Sequence, residues 1–155
     1  MGIFNRESKG YRTEPVNIDV ERGRLQFFAR VTGIRDAIHF DIEAARTAGY
    51  PDIVAPPTFQ VVIGFLASAE LERQGHQSVT SLINADYKRL LHATERCDYH
   101  DKIYAGDQVA VVTEVSDFQD KKNGALEFAH LTVELSHPVR GILVTVSRSL
   151  VHRLE

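Results

Sequence analysis

Cysteine, methionine and tryptophan are almost missing from this chain, which has one, one and none of them in 155 residues. The single cysteine, Cys97, excludes an internal disulfide and suits a reducing compartment. The fold must then rest on its apolar core, which a chain of this length can build as one domain rather than two. An excess of one charge is also missing: 18 basic against 21 acidic residues give a net charge of −3. No block of lysine and arginine stands out, and no aromatic-basic alternation, so nothing in the pattern points to nucleic acid. Long apolar runs are absent too. The longest, Phe59 to Leu71, is interrupted by Gly64, Ser68 and Glu70 and is too short to cross a bilayer. The first residues, Met1 to Arg6, lack the apolar stretch of a secretory signal. These absences together lead to the expectation of a cytoplasmic protein with no membrane or nucleic-acid partner.

What is present is globular, with 43% apolar and 25% charged residues. The first ten residues are polar and expected to be a flexible segment ahead of one domain, 11–155. Pro15 to Asp19 reads as a short edge strand. Asp19 then reads as the N-cap of an amphipathic helix over 20–32, carrying Leu25, Phe28 and Ala29, with Gly33 as its C-terminal stop. Asp41 caps a second helix that Gly49 ends. Pro56-Pro57 opens a third, from about Thr58 to Gln74, apolar nearly all round and therefore expected to be buried. Beyond it, Ser78 to Asn84, Tyr87 to Cys97, Gln108 to Phe118, Ala125 to Ser136 and Ile142 to His152 read as strands. Asn123-Gly124 and Pro138 to Gly141 supply the turns. Helices segregated from a run of antiparallel strands indicate an α+β fold.

Several motifs then occur in order. The stretch Thr32-Gly33-Ile34-Arg35-Asp36-Ala37-Ile38-His39-Phe40-Asp41 resembles the signature Ser/Thr-Gly-Asp-x-Asn-Pro-x-His-x-Asp of the MaoC-like (R)-specific hydratase/dehydratase family. Glu43 to Tyr50 looks like that family's following helix. Ala55-Pro56-Pro57-Thr58-Phe59 resembles the start of the central helix in the branch called the N-terminal MaoC-like dehydratase domain, and Leu90 to His92, Tyr99-His100 and Ala105 to Asp107 fit the same branch. The resemblance spans about residues 15–152. It implies a single hot-dog domain, an antiparallel sheet wrapped around one long buried helix. It further implies an acyl thioester of coenzyme A or an acyl carrier protein as substrate, and a second hot-dog subunit, identical or different.

Loss of water from a 3-hydroxyacyl thioester needs a base, an acid and donors for the charge that builds on the thioester oxygen. In the family, the signature Asp and His supply the proton transfers. Here the histidine is kept as His39, but the aspartate position is Ile34 and the asparagine position is Asp36. Asp36 is a candidate replacement, although it enters two residues later, roughly 6–7 Å along an extended chain. The plain alternative is a turn-capping aspartate. Where catalytic members carry His-Gly at the central helix, this chain has Pro56-Pro57, and proline has no N–H to give. Thr58 keeps a backbone N–H and a hydroxyl. Candidate catalytic residues are thus His39 and Asp36. Candidate substrate-binding residues are Pro57, Thr58, Phe59 and Val62. No metal and no organic cofactor is expected, coenzyme A or phosphopantetheine entering only as part of the substrate.

Three functions follow in order of expectation. The first is reversible hydration of 2-enoyl thioesters, or dehydration of (R)-3-hydroxyacyl thioesters, in fatty acid metabolism. The second is a non-catalytic substrate-binding subunit of a heterodimeric dehydratase. The third is a hot-dog thioesterase, in which Glu70 of the central helix is the carboxylate to watch. Lys88 and Arg89 are candidates for coenzyme phosphates, with solvated strand-end residues as the plainer reading.

Overall fold

The computed structural model describes residues 2–154. Its centre is α3 (Gln60–Arg73), laid against a five-stranded antiparallel sheet. The strands are β1 (Val16–Asp19), β2 (Leu90–Tyr99), β3 (Gln108–Lys121), β4 (Leu126–His137) and β5 (Gly141–Arg153), in the order β1-β3-β4-β5-β2. This is the hot-dog arrangement, and the α+β expectation holds. Strands β3 to β5 are long and β-branched, and β4 alternates buried and half-buried residues along nearly its whole length. Register brings inward residues together, Val111 opposite Leu135 and Val133 opposite Val146. Helix α3 turns Ile63, Ala67 and Leu71, spaced by four, onto this surface. Each fully buried aliphatic side chain of this kind is worth about 1.5–3 kcal/mol.

Two cores result. The larger joins α3 to β1 and to the neighbouring ends of β3, β4 and β5. The smaller, at the other end of those strands, gathers Phe4, Val79, Ile83, Val115, Ala129, Leu131 and Leu150. Phe4 in that cluster corrects one expectation. The first ten residues were expected to be flexible, yet Phe4 and Ser8 are buried and residues 3 and 4 are hydrogen-bonded to Glu127. A polar composition hides one anchoring phenylalanine.

Four other expectations shift for physical reasons. Residues Ser78 to Asn84 form a short helix, α4 (Val79–Leu82), rather than a strand, because Val79 and Ile83 are four apart and bury together. Asp19 belongs to β1 and accepts from Gln108, so α1 (Arg22–Val31) begins after Glu21 with no side-chain cap. Helix α3 starts at Gln60, not Thr58, because Thr58 has φ of +69° and cannot be helical. And α3 is not buried all round: Phe65 is 69% exposed. By contrast, α2 (Ile42–Thr47) is capped as expected, the Asp41 carboxylate accepting from the N–H groups of Glu43 and Ala44. The Lys122-Asn123-Gly124 turn joins β3 to β4 with positive φ at all three residues.

Candidate functional site

A cavity of about 710 Å³ opens beside the start of α3, in the size range of small-molecule sites. Four stretches of chain build it, with Val144 of β5 beside them: the 3₁₀ turn Ala37–His39, Gly49-Tyr50, the segment 54–60, and the end of β2 with the loop after it, 99–104. Backbone bonds tie them together. Val54 N–H donates to Ile38, Ala55 N–H to Ile103, and Ala105 N–H to Ile53.

His39 lies in the wall, 8% exposed. Its Nδ1 is 2.7 Å from the Val54 carbonyl oxygen. A carbonyl can only accept, so Nδ1 carries the proton and, in the neutral ring, Nε2 keeps a lone pair. Among the described residues Nε2 has no hydrogen-bond partner, and no sealed side-chain nitrogen or oxygen lacks one. The free nitrogen therefore opens onto the cavity. A fixed tautomer with an accessible lone pair is the arrangement a general base requires.

The Asp36 carboxylate makes no hydrogen bond to the His39 ring, although the His39 N–H donates to the Asp36 carbonyl. Asp36 is exposed and outside the cavity lining, and its carboxylate caps the 3₁₀ turn by accepting from Ile38 N–H at 3.2 Å. The capping role that its type and position allowed is the one the structure shows. Ile34 is half-buried and lies outside the lining. Of the four expected substrate-binding residues, Pro57 and Phe59 line the cavity. Thr58 turns the chain between them, and its N–H donates to Tyr99 Oη at 3.3 Å. Val62 lies instead in a separate depression. Glu70 pairs with Arg73 and Gln74, which hold its carboxyl down at about 2. Both of its oxygens are engaged in this way, and it lies outside the cavity lining. Arg89 pairs with Asp86, and Lys88 is exposed away from the lining.

The residues that the motifs did not announce come from α3 and the loop. Buried Gln60 accepts a hydrogen bond from the Tyr99 hydroxyl on Oε1 at 3.3 Å and donates from its amide nitrogen to Cys97 Sγ, 3.0 Å away. A relay thus runs from the Thr58 N–H through Tyr99 to Gln60. Its one sequence signal is a glutamine set in an apolar run, Phe59-Gln60-Val61-Val62-Ile63. Around the rim, Lys102 lies over the Tyr50 ring at 5.4 Å. Arg140, from the β4–β5 turn, reaches Asp101 at 2.9 Å, the Lys102 carbonyl at 2.6 Å and the Asp107 carboxylate. Burial works against the Arg140 charge, but Asp107 and Asp101 outweigh it and raise its pKa. The Lys102 N–H, with Arg140 in support, overcomes burial and lowers the Asp101 pKa. Asp101 is thus a fixed anion at the rim and not a proton donor. Among the described residues, no group of three or more His, Cys, Asp or Glu side chains is placed to hold a metal ion. No helix of these residues is long and apolar enough to cross a membrane.

A fold of this kind, with a histidine-walled cavity at the start of its central helix, can be set against known proteins. Residues 7–139 match the model of the FAS1-like dehydratase domain region. The chain belongs to this family. It also belongs with the UPF0336 proteins: that of Saccharopolyspora erythraea is 31% identical over 137 residues, covering 87% of this chain and 81% of the relative. The fold recurs in the 3R-hydroxyacyl-ACP dehydratase complex HadBC from Mycobacterium tuberculosis, at a TM-score of 0.75 and 18% identity, over 93% of this chain and 96% of that one. It recurs again in the (R)-hydratase from A. caviae involved in PHA biosynthesis, at 0.63 and 12%, over 92% and 94%. At these identities the two structures speak for the fold. The hot-dog fold expected from the motifs is thereby shown, and the family match over residues 7–139 agrees with their resemblance to a dehydratase family.

Proposed function

We propose that this chain binds 2-enoyl and (R)-3-hydroxyacyl thioesters and takes part in their reversible hydration. The observation that carries the reading is His39, with Nδ1–H spent on Val54 and Nε2 open to the cavity. In hydration, Nε2 takes a proton from water as the hydroxyl oxygen bonds to C3 of the enoyl group. The C2=C3 electron pair moves toward the thioester carbonyl, and as it returns C2 takes the proton that Nε2 gained, which restores the neutral imidazole. The transient charge on the thioester oxygen needs donors. Tyr99 fits this task. Its hydroxyl lines the cavity, is polarised by the Thr58 N–H, and holds Gln60 by a long 3.3 Å bond that can be exchanged for the substrate. The elements of one water are added with no net change of oxidation state, which calls for no metal or organic cofactor.

A second reading has its own observation. The carboxylate lining the cavity is Asp101, held by Arg140, while Asp36 faces outward. A chain lacking the carboxylate partner would hold the thioester while a second hot-dog subunit brings the missing acid or base. Strand β2 ends the sheet with a free edge and exposes Leu91 and Tyr99. Such an edge is a template for pairing with another chain. Both readings place the protein in acyl-thioester metabolism as one half of a dimer.

One experiment separates them. The purified chain is given crotonyl-CoA and followed by loss of enoyl absorbance, while binding of unreactive butyryl-CoA is measured by calorimetry. Turnover by the chain alone, lost in His39→Ala and reduced in Tyr99→Phe, supports the first reading. Binding without turnover supports the second. Neither binding nor turnover removes both.

A further inference from the structure

Two concavities meet at one side chain. The first is the His39 cavity. The second is a depression of about 490 Å³ between α1 and the start of α3, floored by Phe27, Phe28, Phe59 and Val62. Phe59 is the one residue common to both linings. It is 2% exposed, and its ring meets Phe28 edge-on, with centroids 5.4 Å apart and planes at 80°. The depression is apolar within and polar at its rim, where Glu21 and Arg24 pair with each other. Phe27, at 63% exposure, is one of the larger apolar side chains the fold leaves open to solvent.

We propose that the α1–α3 depression is a distal acyl site and that Phe59, braced by Phe28, is the partition that sets acyl chain length. This rests on the thioester reading above. The occupant is a hydrocarbon tail, because only Phe59 is shared between the depression and the cavity that would hold the thioester head, and the other side chains around it, Phe27, Phe28 and Val62, are apolar. With Phe59 in place a short acyl group stays beside His39. A longer tail must displace the ring to reach Phe27, Phe28 and Val62. Each methylene taken out of water tightens binding by about fourfold, so opening the partition rewards long chains and not short ones.

The test is calorimetric binding of butyryl-CoA and dodecanoyl-CoA, which need no turnover. The readout is the ratio of the two affinities within each variant. Phe59→Leu is expected to raise the dodecanoyl preference about tenfold or more over the unmodified chain. Should Phe59→Leu not fold, Phe28→Leu carries the same expectation. Gly23 lines the depression, has ordinary backbone geometry and has nothing within 4 Å of a built Cβ. Gly23→Phe, added to the opened variant, should plug the depression and return the ratio to near its starting value. An unchanged ratio in the opened variants overturns the proposal, as does a raised ratio that Gly23→Phe leaves untouched. If butyryl-CoA itself does not bind, it is the thioester reading that has failed, and the partition falls with it.

Discussion

Two buried histidines show how differently one side chain can be used at the two ends of this sheet. At one end, His39 spends Nδ1 on a carbonyl and leaves Nε2 open to a cavity. At the other, His152 is sealed, 0% exposed, and both nitrogens are taken. Asp86 N–H donates to its Nε2 at 2.9 Å, so Nε2 is the acceptor and Nδ1–H faces Glu127 at 3.4 Å. Phe4 stacks on the ring at 3.9 Å. Glu127, also fully buried, collects the N–H groups of Ile3 and Phe4 and the Arg6 guanidinium. A histidine sealed from solvent with both ring nitrogens satisfied organises structure. One with a spare lone pair facing a cavity is available for chemistry. Burial alone does not distinguish the two; the hydrogen-bond inventory does.

The largest effect should come from the sealed end. Glu127→Ala would leave the Ile3 and Phe4 N–H groups and His152 without their acceptor in a dry site. A loss of about 3–5 kcal/mol is expected from urea unfolding, as for other broken buried pairs. A loss below about 1 kcal/mol would mean that the N-terminal segment adds nothing to stability and that the contrast between the two ends is false.

His39→Ala should invert the pattern. Removing the open imidazole is expected to lower enoyl-CoA hydration at least about a hundredfold, in the chain alone or with its partner subunit. Its unfolding free energy should fall by less than that of Glu127→Ala, because only one hydrogen bond is lost. If His39→Ala costs as much stability as Glu127→Ala with no change in rate, His39 is structural too.

A pH series sharpens the same contrast. Burial alone would raise the Glu127 pKa, but the Phe4 and Ile3 N–H groups, with Arg6 and His152, outweigh it and lower the value in the folded state. The folded value therefore lies below the ordinary 4.5. The stabilisation from its ionised form is complete above that pH and is lost as pH falls through the folded value. Urea midpoints of the unmodified chain and Glu127→Gln should differ most at neutral pH and converge as pH falls through the lowered folded value. A constant difference would show that Glu127 is not ionised in the native state.

Much of this was legible in the residues. Apolar periodicity foretold the long strands and α3, and the motifs foretold that His39, Pro57 and Phe59 would lie together. What stayed hidden shares a physical cause: it depends on partners distant in sequence. Nothing local to Phe4 announces that it will stack on a histidine 148 positions away, as the close-packed rings show. Tyr99 lies in a motif that gives it no role, and Arg140 is ordinary in sequence; they join the site only through Gln60 and Asp101, each 39 positions away. Asp36 was ambiguous for the opposite reason. Its two uses, capping and catalysis, call on the same carboxylate, and composition cannot choose between them. The misread strand at Ser78 to Asn84 has four apolar or β-branched residues in seven, a pattern too short for either period to dominate.

The smallest expected effect concerns Thr58, where the two halves of the cavity wall join. A β-branched residue at φ of +69° is strained, by about 1–3 kcal/mol in general. Thr58→Gly relieves that strain while making the unfolded chain more flexible. The net gain should be about 1 kcal/mol or less, read as a small rise in the urea midpoint. The variant also separates two roles. Glycine keeps the N–H that polarises Tyr99 and removes the hydroxyl and methyl. If the backbone is what matters, hydration or acyl-CoA binding survives within about twofold, a change smaller than a typical single hydrogen bond. A large loss despite higher stability would place the Thr58 hydroxyl itself against the substrate. The strain would then be explained as the cost of holding that group where the thioester lies.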